Sequence, residues 1–137
     1  MKKLPMIGVL AAAGVAALGG CSAGKVDYAR PFPYEAARAE PESIQVLRDE
    51  THITITNTSA RGFGPSTLWL NRWYSRPIDG FAVGETITLG LSEFRDSTSE
   101  PFRAGGFWAT QQPMRIISAD LETEGELVGL VVIADRN

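Results

Sequence analysis

This 137-residue chain has one cysteine and one histidine, and those two scarcities exclude much of the chemistry a small protein performs. A single thiol makes no internal disulfide. One imidazole without a second soft donor leaves no zinc set of the Cys and His type and no haem ligation. A Ser-His-Asp triad would have to be built around His52, which alternates with Ile53 and Ile55 and is expected on the solvent side of a strand. No catalytic residue, metal ligand or cofactor is therefore expected. Asp96, Ser97, Ser99 and Glu100 offer oxygens, but their spacing lacks the calcium-loop pattern and reads as a polar turn. Basic runs are scarce as well. The 13 Lys and Arg face 16 acidic residues, and beyond Lys2 and Lys3 they occur singly, so there is no stripe for nucleic-acid phosphates and no polybasic membrane patch. Sustained helical periodicity is missing too.

What is present begins at the N-terminus. Lys2 and Lys3 precede an uncharged apolar stretch over residues 4–18, the order of a leader's n-region and h-region. The stretch is shorter than the about 20 residues a membrane span needs. It ends in Leu18-Gly19-Gly20-Cys21, small residues directly before the lone cysteine. This arrangement resembles the lipobox of a bacterial lipoprotein, although the commonest version carries Ala or Ser where Gly stands here. The resemblance implies signal-peptidase recognition through Leu18, Gly19 and Gly20, cleavage before Cys21, and acyl chains on Cys21 that hold the protein to a membrane. The thiol is then consumed. Ser22 in place of Asp implies delivery to the outer membrane if the source has two. The expected location is the bacterial cell envelope, facing the periplasm or the surface.

Three regions follow: a signal peptide over 1–20, a lipidated N-terminus and tether over 21–43, and a β-domain over 44–137. Pro31, Pro33 and Pro41 favour extended chain in the middle region, which at ~3.1 Å per residue would reach about 70 Å from the membrane. Phe32 and Tyr34 are unusual for a spacer, and the domain is their nearest docking surface. Past residue 44 the pattern turns to period two. Ile53 and Ile55 alternate with threonines, Leu68 and Leu70 flank Trp69, and Ile87, Leu89 and Leu91 share a face. Pro77 points to an edge strand, and Glu124-Gly125 marks the tip of a closing hairpin. The run over 128–133 is apolar on both faces and predicts a central, covered strand. Short strands with regular turn signals predict an all-β fold, a small antiparallel Ig-like β-sandwich of about six to seven strands.

Within residues 44–91, a strand ending in Asn57-Thr58-Ser59, a strand with Trp69 and Leu70, and Phe81 ahead of Val83-Gly84-Glu85-Thr86 resemble the bacterial Ig-like modules of the CARDB and FxLYD type. The resemblance implies that Phe81 plugs one end of the sandwich, and it brings no catalytic residues. The connection over 92–113 is longer than that pattern has. It carries Phe94, Phe102, Phe107 and Trp108, and connections beyond about 12–15 residues tend to be functional. It is expected to fold over an outward face.

The aromatics supply the candidate binding residues. If Leu68 and Leu70 face the core, Trp69, Asn71 and Trp73 form an outward stripe, with Trp108 from the long connection; in the opposite register the tryptophans are core. Glu122, Glu124 and Glu126 read as a solvated edge that discourages sheet-to-sheet pairing. The function expected is that of a lipid-anchored envelope protein, a non-catalytic structural or protein-interaction module. The alternative is a carbohydrate or peptidoglycan-binding module using exposed tryptophans. Expected partners are thus the membrane through Cys21 and an envelope protein or glycan.

Overall fold

The computed structural model describes residues 26–133. The leader, the Leu18-Gly19-Gly20-Cys21 motif and Ser22 lie outside the described residues. The described residues form nine strands: β1 (Ala37–Arg38), β2 (Ile44–Asp49), β3 (His52–Asn57), β4 (Ser66–Leu70), β5 (Tyr74–Ile78), β6 (Thr86–Gly90), β7 (Ala119–Thr123), β8 (Glu126–Gly129) and β9 (Val131–Ile133). They form a five-stranded sheet of order β1-β8-β7-β4-β5 and a four-stranded sheet of order β6-β3-β2-β9. Only a 3-10 turn at Leu91–Glu93 interrupts the β-structure among the described residues. The fold is the expected small β-sandwich. β2, β3 and β6 sit side by side like strands A, B and E of an immunoglobulin-like sandwich, and β4, β7 and β8 like C, F and G.

The strand faces follow from alternation. In β3, Ile53 and Ile55 are buried while the Thr54 and Thr56 hydroxyls lie 3.4 and 3.0 Å from those of Thr88 and Thr86 across the pair. His52 is exposed at the start of that face. Ile44 and Val46 of β2 join Leu89 and Leu91 opposite Leu68, Leu70, Leu121 and Val128 of the other sheet. Fully burying one such side chain stabilises by about 1.5–3 kcal/mol. Phe63 and Phe81 close one end through reciprocal backbone hydrogen bonds of 2.9 and 2.8 Å. Asn57, fully buried beside them, donates from Nδ2 to the Arg61 and Phe81 carbonyls and accepts at Oδ1 from the Ser59 N–H and hydroxyl.

Seven strands have four or more residues, and the two others are short and pair in parallel, β1 with β8 and β2 with β9. Parallel neighbours need a long connection, and here nearly the whole domain supplies it. The two chain ends cross from one sheet to the other together: Ala39 and Glu42 donate to the Leu127 and Gly129 carbonyls as β1 passes to β2. This crossing overturns the expectation of one covered central strand over 128–133. Val128 belongs to the five-stranded sheet, Leu130 lies at the crossing, and Val131 and Ile133 are exposed on the edge of the four-stranded one. The run is apolar throughout because it serves two sheets in succession.

The segment expected as a tether is, from Val26 onward, packed chain. Ala29 and Phe32 are buried, and β1 extends the five-stranded sheet. The domain therefore starts well ahead of residue 44. The two aromatics explain the difference, since Phe32 fills a place on the outer face of that sheet and Tyr34 stacks edge-on against it at 5.0 Å.

Candidate functional site

Leu68 and Leu70 face the core, so Trp69 faces outward as alternation requires. Its relative exposure is nevertheless 0%. The Phe32 ring meets it edge-on at 5.2 Å, the Arg30 guanidinium sits 5.0 Å from its ring centre, and its Nε1–H donates to Glu122 at 2.7 Å. The same Glu122 oxygen takes Arg30 at 2.5 Å. Two expectations change here. Trp69 is not part of a binding stripe, and Glu122 is an internal partner, with only Glu124 and Glu126 left exposed at the hairpin tip. Arg30 and Glu122 are 92 positions apart, a separation local pattern does not register.

The remaining members of the expected stripe are separated by their hydrogen bonds. Asn71, in the left-handed region at φ 55, accepts at Oδ1 from the Ile117 N–H at 2.8 Å and donates from Nδ2 to the Arg115 carbonyl at 2.8 Å. It thereby fastens the chain entering β7 to the β4–β5 turn. Trp73 is 56% exposed, and its Nε1–H reaches Asp96 Oδ2 at 3.3 Å. The other Asp96 oxygen accepts from the Thr98 N–H, the Thr98 hydroxyl and the Glu100 N–H at 2.8, 2.8 and 2.9 Å. This is a polar turn held by its own carboxylate. Among the described residues no cluster of three His, Cys, Asp or Glu could hold a metal.

Burial raises the pKa of Asp96, but the hydrogen bonds from Thr98, Glu100 and Trp73 outweigh it and leave the carboxyl below its ordinary 3.8. A depressed folded pKa means that the stabilisation is present above the unfolded value and lost as pH falls through the folded one. Wild-type protein is therefore expected to lose stability as the pH falls below about 4, with Asp96→Asn losing less over the same window. Urea midpoints measured across that range check this, and parallel curves for the two proteins would contradict it.

The connection over 92–113 divides into two parts. Its first half does not cover an outward face as expected but enters the core, with Phe94 and Phe102 buried among the inward residues of both sheets and Arg95 bridging Ser75 of β5. Its second half projects instead of covering a face. The base is closed by the Met114 N–H donating to the Arg103 carbonyl at 2.8 Å. Arg48, inward-facing on β2, donates to the carbonyls of Glu50, Ala104 and Met114 at 2.9, 2.7 and 2.5 Å. Gly105 has φ +82 and lies so close to Pro113 that a Cβ would meet the proline at 2.8 Å. Only glycine fits there. At the tip the Ala109 N–H closes a turn on the Gly106 carbonyl, and Phe107 and Trp108 stand 89% and 88% exposed, edge to face at 4.7 Å.

The structure thus takes Trp108 from the expected set and pairs it with Phe107, which sequence reasoning did not select as a binding residue. The Gly105-Gly106-Phe107-Trp108 run was the available signal: two glycines deliver two aromatics to a turn, where neither can alternate into a core. Fold and site together define a small Ig-like β-sandwich carrying a braced, aromatic-tipped loop at one end. No protein-family model matches the chain, and no curated protein or solved structure matches it.

Proposed function

We propose that this protein is a lipid-anchored, non-catalytic module of the bacterial cell envelope that acts by presenting the Phe107–Trp108 tip to a neighbouring envelope component. The observation that carries the reading is the tip itself, two large aromatics in solvent on a loop whose base is tied by Arg48. Exposed aromatics on a fixed support are the usual anchors of a contact surface. Several polar side chains support it from the other side: the buried Asn57, Arg48 and Asp96 and the half-buried Glu122 spend hydrogen bonds on the scaffold. The lipobox resemblance of Leu18-Gly19-Gly20-Cys21 supplies the anchor. A glycan platform is the weaker reading, because Trp69 lies beneath Phe32 and the tip rings meet at 88° instead of forming a flat shelf.

A photoreactive phenylalanine analogue at position 107, expressed in the full chain in its native envelope, tests this. Adducts to an envelope component are expected, and Cys21→Ser should remove most of them along with the acyl mass and cleavage of the leader. Acylation or processing that persists in Cys21→Ser would overturn the anchor; adducts no more frequent than from a position on the exposed Thr face would overturn the tip.

A further inference from the structure

We propose that the occupant of the Phe107–Trp108 tip is the lipid surface itself, so that the sandwich stands end-on against the membrane that carries its anchor. The inference rests on the lipid-anchor reading and adds the partner and the orientation.

The tip has interfacial chemistry. From Ala104 to Met114 no residue is charged, while the exposed Arg103 and Arg115 flank the stretch. Aromatic rings at the headgroup boundary with cations at phosphate level are the arrangement found where protein meets a bilayer. Each ring offers about 150–250 Å² of burial, and the braced base means that little ordering is left to be paid on contact.

Placement then selects lipid over a protein partner. The first described residue, Val26, donates its N–H to Ser99 at 3.2 Å. Ser99 closes the turn held by Asp96, Asp96 takes the Trp73 indole, and Trp73 shares the β4–β5 turn with Asn71, which fastens residues 115–117, the chain that leaves the base of the aromatic loop for β7. The chain therefore enters the domain at the end from which the tip projects. Five residue steps separate Cys21 from Val26, a reach of at most about 18 Å. A freely hanging tether would have allowed about 70 Å. Docking of Phe32 on Trp69 shortens the leash, and a short leash leaving from the tip's own end holds that end near the bilayer. Phe63 and Phe81, beside the end of β3, and the β7–β8 hairpin, beside the start of β4, lie at the opposite end.

The test uses the full lipidated chain in vesicles of phosphatidylethanolamine and phosphatidylglycerol whose acyl chains carry bromine, a short-range quencher of tryptophan. Intrinsic fluorescence is expected to fall relative to unbrominated vesicles, with Trp108→Phe losing most of the quenching and Trp73→Phe keeping it. Equal quenching in wild type and Trp108→Phe would overturn the inference. Intact mass of the same preparation separates the two readings, since missing acyl chains would refute the anchor, whereas acylated protein without Trp108-dependent quenching would refute only the lipid contact. Adducts from position 107 that go to protein and not to lipid would also overturn it, in favour of a protein partner.

Discussion

Trp69→Ala is expected to lower stability by about 3–5 kcal/mol, the range for deleting a fully buried large aromatic. The residue faces away from the main core, so outward orientation alone would suggest a tolerant site. Its 0% exposure decides otherwise. The substitution removes the Phe32 contact, the Arg30 ring contact and the hydrogen bond to Glu122 in one step. The N-terminal segment should then detach, because Phe32, Trp69 and Leu127 form a cluster of their own outside the main core. Denaturant unfolding should show the loss, and hydrogen exchange should show protection failing first over β1 and the residues before it. A Tm fall of at least about 12 °C is expected for a domain of this size. Trp69→Phe keeps the apolar contact and should cost less. Trp108→Ala, an equally large deletion at an exposed site, should stay within about 0.5 kcal/mol. If Trp69→Ala and Trp108→Ala proved equally mild, the docked state of residues 26–43 would be wrong, and so would the short leash that depends on it.

Arg48→Met should cost about 3 kcal/mol, the scale expected when several charge-assisted hydrogen bonds disappear together without adding fully. Methionine preserves the apolar stem among the inward residues of β2 and removes only the guanidinium. Three carbonyls, those of Glu50, Ala104 and Met114, then lose a donor. The effect should be uneven. The Met114 amide, which closes the loop base on Arg103, is expected to exchange much faster, while β3 and β4 amides change only with global stability. Arg48→Lys should not rescue the loop, because one ammonium does not reproduce a planar fork with separated donors. Rescue by lysine would show that charge alone matters there. The same variant bears on function, since a loosened base should reduce Trp108 quenching by brominated lipid without altering acylation.

Much of the fold was legible because alternation reports which face a residue takes. Ile53 and Ile55 against the threonines stand where period two places them, Leu68 and Leu70 share a face opposite Trp69 as it requires, and Pro77 lies on an edge strand as its missing N–H demands. Glu124-Gly125 forms its hairpin tip with both residues at positive φ, a local requirement that Gly125 meets. The failures have a common physical origin. Alternation says nothing about what lies across a face, so Trp69 read as an open stripe in one register and as core in the other, and the answer came from Phe32 and Arg30 in another part of the chain. Arg48 sits at an inward position that composition assigns to solvent, and it is tolerated because loop carbonyls reach it. The apolar run over 128–133 hid a change of sheet, since burial against two different layers leaves the same hydrophobic trace as burial between them.

The sequence by itself determined the all-β class, the buried face of strands such as the one carrying Ile53 and Ile55, and the turns between strands, because steric alternation and turn chemistry act over a few neighbouring residues. Tertiary structure alone decided that residues 26–43 are part of the domain, that Trp69 lies buried under Phe32 with its indole on Glu122, and that Phe107 and Trp108 project from the end at which the chain enters. Those outcomes depend on which distant segment wins each exposed surface, a competition settled by packing across the whole molecule.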